Sequence, residues 1–471
     1  MSLKPRLALR DTLIAALQEA IEQGGLRPGT RLRSVRQLAA DEGVSPSTAA
    51  DVYDALAATG RITARPGSGY FVADESAHSA APGTTVAADA LWERRIEAPG
   101  ARIRVDAGGG WLPSDWQYVD GIASALRQVA RLPGCSEGYG SPNGFEPLRS
   151  YFARHLAARD VAADAGRIVL TQGASQALDL VVRTLLEPGD TVVVEDPAYP
   201  PTLALLRARG VHLLAVSRLQ TGPDTDALES LLKRRRIRAL FTNTTLQNPT
   251  GTSTHPDVAR RLVALAVRHD FTIVEDDIFS ELSRAHTKPL AAFDEGQRVL
   301  YVSSISKTVS PALRVGYVLA SPATLAPIVR LKTLSALASS ELSERIALGA
   351  LTQAHYRRHL EALRKRLAAS QARVQATLLA QGVELAYQPD AGMFLWGRLP
   401  SRDAVGKIWR NAVDAGVLLA PGESFRPDGR ASPWWRFNVA HCEDGALTRF
   451  LATVQSQLAR STERSAVKPP G

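Results

Sequence analysis

The most constraining feature of this chain is an alternation, between residues 101 and 460, of short apolar runs with amphipathic segments of helical periodicity. Six apolar runs are predicted to be buried strands: Thr191–Glu195, Val211–Val216, Arg238–Thr242, Phe271–Glu275, Arg298–Ser303 and Leu313–Leu319. Segments 175–187, 224–236 and 256–269 are predicted to be helices between them. Strands that are apolar throughout and alternate with helices are typical of a parallel sheet covered on both faces. The sequence therefore predicts an α/β domain with a mainly parallel central sheet.

The first 73 residues have the pattern of a separate, smaller unit. Ser34 and Ser45 stand where they can cap two short helices, and Pro46 occupies a first helical turn, where proline is tolerated. Two β-type runs flank Arg65–Gly69, which is a hairpin signal. The order helix, helix, turn, helix, hairpin predicts a winged helix-turn-helix over residues 1–73. Residues 74–100 are predicted to be a linker, and the polar segment 461–471 is predicted to be disordered.

Composition limits the cellular compartments and the classes of protein that fit this sequence. Of the 471 residues only two are cysteines, which excludes a disulfide framework and a cysteine-rich zinc site and indicates a reducing compartment. The chain shows no signal-peptide pattern and no apolar stretch of about 18 residues. We therefore expect a cytoplasmic protein without a membrane partner. The net charge is +9, but residues 1–73 carry nine Lys/Arg against seven Asp/Glu, so basicity alone does not identify a nucleic-acid-binding segment.

Several polar motifs follow the predicted strands. Ser303–Lys307 ends one strand and is followed by Arg314, so that a lysine amine, hydroxyls and a guanidinium can meet an aldehyde and a phosphate. Glu275–Asp277 closes another strand, and Gln247–Gly251 follows a third. The turn Thr171–Ser175 precedes a helix, whose first N–H groups can bind an anion. Because ligands of parallel-sheet proteins collect beyond the carboxyl ends of strands, we expect these motifs to form one site.

These motifs, in this order, resemble those of fold-type I pyridoxal 5'-phosphate (PLP)-dependent aminotransferases over residues 101–460. The resemblance implies that Lys307 is the Schiff-base lysine and that Asp276 pairs with the pyridinium nitrogen. It also implies that Arg436 grips an α-carboxylate, and that the domain is a homodimer with a smaller C-terminal α+β subdomain. It assigns the remaining cofactor contacts to Asn248 at the ring hydroxyl, Tyr199 stacked on the ring, Ala174, Ser175, Ser304, Ser306 and Arg314 at the phosphate, and Tyr139 at the phosphate of the neighbouring subunit.

The sequence departs from that family at one position. The family often has a tyrosine two or three residues after the pyridinium aspartate, where this chain has Ile278 and Phe279. Without that hydroxyl we expect weak transamination but not a loss of cofactor binding. The alternative is that another hydroxyl takes its place.

The N-terminal unit resembles GntR-type winged helices in the segments Leu32–Ala39, Val44–Thr48 and Arg65–Val72. Phosphate contacts position such a unit on DNA, and contacts to base edges read the sequence. The resemblance assigns DNA contacts to Arg36, to Ser45, Ser47 and Thr48, and to Gly67 in the wing. We expect Arg33, Arg61 and Arg65 to carry a larger share of the binding, together with Arg36. Related sequences commonly carry arginine where this chain has Pro46 and Asp51, so base readout by this helix is expected to be unusual. A winged helix used only for protein contacts is the alternative.

Fused in this order, the two units resemble the MocR subfamily of GntR regulators. The resemblance implies a bacterial-type transcriptional regulator that binds promoter DNA on the nucleoid and senses PLP or a small amino compound. Two alternatives remain: an active aminotransferase of amino acids with an appended winged helix, and a domain kept only for dimerisation. The basic run Lys233–Arg236 with Arg238 is either a solvated helix face or a further DNA contact. No metal site is predicted.

Overall fold

A computed structural model describes residues 12–14, 16, 17, 20, 26, 29–58, 62–65, 69–72, 103–134, 137–285, 287–294, 296–389, 391–401 and 405–466. The chain divides into two compact units, Met1–Thr85 and Val86–Gly471. The predicted linker 74–100 and residues 467–471 lie outside the described residues. Within the described ranges no helix has the length and apolar character needed to cross a membrane.

The N-terminal unit is a winged helix-turn-helix. Helix α1 (Val35–Asp41) starts with a capping box, in which Ser34 and Gln37 bond each other's backbone N–H groups. Helix α2 (Pro46–Ala58) follows, and strands β1 (Ile62–Arg65) and β2 (Gly69–Val72) pair as an antiparallel hairpin. One apolar cluster joins these elements and includes Leu38, Ala49, Val52, Tyr53, Leu56, Ile62 and Val72.

The large unit is built on an eight-stranded sheet in the order β3-β10-β9-β8-β7-β4-β5-β6. Its strands are β3 (Ile168–Thr171), β4 (Thr191–Asp196), β5 (His212–Leu219), β6 (Gly222–Pro223), β7 (Ala239–Asn243), β8 (Thr272–Asp276), β9 (Val299–Ser304) and β10 (Gly316–Leu319). The inner strands β5, β4, β7, β8 and β9 are parallel, whereas β10 runs antiparallel to both of its neighbours. The predicted mainly parallel sheet is confirmed.

Helices cover both faces of this sheet, and a separate apolar cluster lies on each face. They are α3 (Val119–Val129), α4 (Glu146–Ala157), α5 (Gly173–Leu185), α6 (Pro200–Ala208), α7 (Thr225–Leu232), α8 (Pro256–His269), α9 (Pro322–Ala336) and α10 (Glu341–Leu351). Because β7 and β9 are buried at every residue, they read as unbroken apolar or small-residue runs.

A smaller C-terminal α+β subdomain completes the unit. Its antiparallel sheet has the order β11-β12-β14-β13, and a third apolar cluster packs it against three long helices. Its elements are α11 (Tyr356–Ala380), β11 (Glu384–Leu385), β12 (Phe394–Arg398), α12 (Val405–Asp414), β13 (Ala420–Pro421), β14 (Trp434–Asn438) and α13 (Gly445–Ala466).

Several details differ from the sequence-based expectations. The predicted helix 224–236 ends at Leu232, so the basic run Lys233–Arg236 lies beyond the helix and is not a helix face. Strand β3 is only four residues long and was not predicted. The run predicted from Leu313 becomes a strand only at Gly316, because a 3-10 turn precedes it and Arg314 is left-handed with a φ of 51°. Helix α13 continues to Ala466, into the segment predicted to be disordered, because a helix satisfies its backbone groups internally even where its sequence is polar.

Candidate cofactor and effector site

A cavity of about 370 Å³ lies where β4, β7, β8 and β9 end. This is the edge of a parallel sheet at which ligands are expected, and the volume is within the range of small-molecule sites. The site residues predicted from sequence that line it are Ala174, Ser175, Tyr199, Asn248, Asp276, Ser304, Ser306, Lys307, Arg314 and Arg436. Tyr139 is not among the lining residues, and its side chain is 78% exposed.

Lys307 follows β9 and points into this cavity. Burial, together with the positive charge of Arg436, lowers its pKa to about 8, while Asp276 acts in the opposite direction. Its Nζ donates a hydrogen bond to the carbonyl oxygen of Gly110 at 2.6 Å, and the ring centroid of Phe279 is 5.8 Å away. About a tenth of this amine is unprotonated at pH 7 and about half at pH 8, and the unprotonated amine is the form that attacks an aldehyde.

The lowered pKa predicts how fast Lys307 bonds PLP at different pH values. In protein freed of cofactor, the rate is expected to rise between pH 6.5 and 9 with a midpoint near 8, because only the neutral amine reacts. Stopped-flow absorbance measures this rate. Free Nα-acetyl-lysine is the control, since its amine keeps the ordinary pKa of about 10.5. A protein midpoint close to that of the control would contradict the prediction.

Asp276 ends β8 and is buried. Burial raises the pKa of this carboxyl to about 7, while the backbone N–H of Ile278, 3.3 Å from Oδ1, acts in the opposite direction. A carboxylate withdrawn from water is stabilised by a cationic donor beside it. The protonated ring nitrogen of PLP is such a donor, so Asp276 fits this cofactor.

The start of α5 forms an anion cradle with Arg314. Gly173 has a φ of 80°, and a Cβ there would lie 2.7 Å from Nη2 of Arg314. Gly316 is equally constrained, because its Cβ would lie 2.6 Å from the carbonyl carbon of Gly173. The hydroxyls of Ser304 and Ser306 are 2.7 Å apart on the same cavity wall. A helix N-terminus, a guanidinium and hydroxyl groups together fit a phosphate group.

Arg436, in β14, is 6% exposed and lies between two aromatic rings. Its guanidinium carbon is 4.7 Å from the ring centroid of Phe394 and 5.0 Å from that of Phe425. Nη1 donates to Oδ1 of Asn248 at 2.8 Å and Nη2 to the carbonyl oxygen of Gly108 at 2.5 Å. The buried Nε has no hydrogen-bond partner within the described part of the chain. Burial lowers the pKa of Arg436 to about 10, so it stays cationic at neutral pH and can bind a carboxylate.

A run of three glycines, Gly108–Gly110, was missed by the sequence reasoning. Each carbonyl oxygen accepts a bond from a different side chain: Arg436 at Gly108, Asn438 at Gly109 (2.9 Å) and Lys307 at Gly110. A Cβ at Gly108 would lie 2.3 Å from the backbone nitrogen of Ala420, so the backbone approaches this closely only as glycine. Three consecutive glycines were the sequence signal that could have indicated this close approach of the backbone.

A buried ion pair supports the loop that carries Asn248. Nη1 of Arg218 lies 2.6 Å from Oε1 of Glu195, with side chains 0% and 2% exposed. Arg218 also donates to the hydroxyl of Thr252, and Glu195 accepts from Nε2 of Gln247 at 3.3 Å. The pair therefore fixes both ends of this loop.

Ile278 and Phe279, which stand where the aminotransferase family often has a tyrosine, are part of the cavity wall. Phe279 is buried and packs edge-on against Phe394, with ring centroids 5.5 Å apart. Both residues line the cavity and present hydrocarbon rather than a hydroxyl.

The proposed DNA-contact residues are partly described. At the start of α2 the hydroxyl of Ser45 accepts the backbone N–H of Thr48 and is bonded to the hydroxyls of Ser47 and Thr48. Arg36 is exposed, whereas Arg33 pairs with Asp41 at 2.8 Å and with Glu42 at 3.2 Å. Arg61 and Gly67 lie outside the described residues, and of Arg65 only the backbone in β1 is described.

The basic run after α7 is a surface feature. Arg234, Arg235 and Arg236 are exposed, and no ion pair to them is found in the described ranges. Within those ranges no group of three or more histidine, cysteine, aspartate or glutamate side chains could hold a metal ion.

Comparison with known families agrees with both units. Residues 115–454 match the family described as aminotransferase class I and II, and residues 9–72 match the gntR family of bacterial regulatory proteins. The chain is 32% identical to the uncharacterized HTH-type transcriptional regulator YdcR of Escherichia coli K12, over 91% of this chain and 94% of that protein.

Two solved structures are similar to the large unit. The multiple substrate aminotransferase of Thermococcus profundus is 25% identical, with a TM-score of 0.73 over 83% of this chain and 98% of that one. LysN, the α-aminoadipate aminotransferase of Thermus thermophilus complexed with N-(5'-phosphopyridoxyl)-L-leucine, is 26% identical, with a TM-score of 0.70 over 81% and 95%. The chain therefore belongs to the MocR-type GntR regulators, in which a gntR-family winged helix-turn-helix is fused to a PLP-dependent aminotransferase class I and II domain.

Proposed function

We propose that this protein binds promoter DNA as a homodimer and that its DNA affinity is set at Lys307 by PLP or by a small amino compound. The observation that carries the proposal is one cavity that combines Lys307, Asp276, the anion cradle at Arg314 and Arg436, in a chain that also has a winged helix. When bound, PLP supplies an aldehyde and an electron-withdrawing ring.

The side chains of the cavity divide the work of binding. The amine of Lys307 would bond the aldehyde with loss of water, and Asp276 would hold the proton on the ring nitrogen. The N-terminus of α5 and Arg314 would bind the phosphate, and Arg436 would orient a carboxylate. Asp276 and Arg436 are buried, so a charge pair with either of them is stronger than it would be in water, whereas Arg314 is exposed.

Dimerisation is supported by the exposed Tyr139 and by the two-unit design. Two winged helices on one dimer bind paired half-sites with a gain in effective concentration.

The test is binding of the purified protein to its own upstream DNA, with and without PLP, in the presence of scrambled competitor. We expect specific binding whose affinity changes with PLP. An Arg36→Gln variant should bind all sequences more weakly and reduce the salt slope by about 0.9, because one phosphate contact is lost. Arg127→Gln, on the exposed surface of α3, is the matched control. Absence of specific binding in every cofactor state would refute the proposal.

An aminotransferase is the second candidate. It is favoured by the presence of Lys307, Asp276 and Arg436 in one cavity, and the hydrocarbon of Phe279 counts against rapid turnover. Multiple turnovers with an amino donor and a keto acid would establish it, whereas a single half-reaction would not.

A further inference from the structure

We infer that Arg159 is a positioning residue for the cofactor, and that it acts through Asp277 from the opposite face of the sheet. The pair fixes the turn that orients Asp276, and it cancels a second buried negative charge beside that carboxyl. The inference rests on the proposed function in one respect, which is that Asp276 meets the ring nitrogen of PLP. Every contact that it uses lies within one subunit.

Three consecutive carboxyl groups lie at the end of β8, those of Glu275, Asp276 and Asp277, and all three are buried. Asp276 lines the cavity. Because successive side chains along a strand point to opposite faces, its two neighbours point to the other face of the sheet. There, Glu275 accepts hydrogen bonds from the hydroxyl of Thr244 at 2.7 Å and from two backbone N–H groups. Asp277 is bound instead by a cation.

Arg159, two residues after the end of α4, is that cation. Its Nη2 lies 2.8 Å from Oδ2 of Asp277, and the hydroxyl of Tyr301 donates to the same oxygen at 2.9 Å. The guanidinium also donates to the hydroxyl of Tyr301 at 3.0 Å and to the carbonyl oxygen of Thr287 at 3.3 Å. The side chains of the pair are 16% and 0% exposed. Apolar replacements of such a pair are often as stable or more stable, so stability alone does not account for it.

The backbone beside Asp277 connects this ion pair to the cavity. The N–H of Asp277 donates to the carbonyl oxygen of Val302 on β9 at 2.9 Å, which fixes the end of β8. The next N–H along the chain, that of Ile278, bonds Oδ1 of Asp276 at 3.3 Å. Arg159 therefore holds one side of a turn whose other side orients the carboxyl that faces the cavity.

Arg159 also balances the charge next to Asp276. Burial raises the pKa of Asp276, and the negative charge of Asp277 raises it as well. The other ionisable side chains around this site are Glu195, Tyr199, Glu275, Tyr301, Lys307 and Arg436, and none of them changes in the variants below. Without Arg159, the charge of Asp277 would act on the bound cofactor without compensation and would favour the protonated form of the cofactor.

The test follows the visible absorbance of the cofactor in full-length, PLP-loaded protein as the pH is varied. Arg159→Met should raise the pH midpoint of the absorbance change by about one unit, because an uncompensated carboxylate favours the protonated cofactor. Asp277→Asn should lower the midpoint by a similar amount, because the positive charge of Arg159 is then uncompensated. The double variant should return close to the wild-type midpoint, because both charges are absent.

The opposite signs separate this role from a merely structural one, which would lower stability or cofactor content without moving the midpoint in two directions. Arg159→Met leaves a buried carboxylate unpaired, so its folding is checked by urea unfolding. If it does not fold, Asp277→Asn and the double variant carry the test. Arg154→Met, at an exposed position on α4, is the matched control and should leave the midpoint unchanged.

An unchanged midpoint in Asp277→Asn, or shifts of the same sign in both single variants, would overturn this inference. Specific DNA binding by the same samples would then show that the regulator stands without it. Wild-type protein that takes up no PLP would overturn both the inference and the proposed role of Lys307.

Discussion

A Lys307→Ala protein is expected to lose covalent retention of PLP and to bind the cofactor about a hundredfold more weakly, which corresponds to about 2.7 kcal/mol. Among the described residues that line the cavity, Lys307 is the one lysine. Its lowered pKa makes its amine reactive toward an aldehyde. Borohydride reduction followed by mass spectrometry should show the cofactor adduct on wild-type protein and none on the variant.

The matched control for this variant is Lys365→Ala. Lys365 is exposed on α11 and outside the cavity, so its removal should leave the adduct unchanged. A reduced adduct of equal yield in the Lys307→Ala protein would show that another amine holds the cofactor. DNA binding measured on the same samples would then tell whether the bond at Lys307 matters for regulation.

The second large effect is expected in stability. Arg218→Met should lower the free energy of unfolding by about 3–5 kcal/mol, because it leaves the carboxylate of Glu195 buried without its cation. Urea unfolding followed by the fluorescence of the large unit measures this change.

A double variant separates the charge from the packing. Arg218→Met combined with Glu195→Gln removes both charges, so it should recover much of the lost stability. If the double variant were as unstable as Arg218→Met alone, the packing of Arg218 against the Asn248 loop would be the cause. Arg235→Met, an exposed position without an ion pair in the described ranges, should change stability by less than about 0.5 kcal/mol.

The parallel sheet could be predicted from the sequence because buried parallel strands are apolar on both faces. The position of β8 and β9 placed Asp276 and Lys307 at neighbouring strand ends, since consecutive strands in such a sheet pair side by side. The winged helix could also be predicted from the sequence, because the caps at Ser34 and Ser45 are local signals for the starts of its helices.

The rest of the cavity depends on contacts between residues far apart in the chain. Arg436 donates a hydrogen bond to the carbonyl oxygen of Gly108, which is 328 positions away in the sequence, and no local sequence pattern predicts that contact. The Arg218–Glu195 pair was missed for the same reason, since each residue alone reads as an ordinary charged position on a strand. Leu418 and Leu419 line the cavity, but in the sequence they cannot be distinguished from ordinary core residues.

The glycine run joins side chains of the cavity to the backbone at the beginning of the large unit. Gly108 and Gly110 hold Arg436 and Lys307 through their carbonyl oxygens, and they stand near the beginning of the large unit, on the stretch that leads back toward the DNA-binding unit. A ligand that bonds the amine of Lys307 removes the donor of the Gly110 carbonyl, whereas Arg436 has an Nε without a hydrogen-bond partner in the described residues and can keep its bond to Gly108. Bonding at Lys307 is therefore expected to weaken the hydrogen bond that holds the backbone of Gly110.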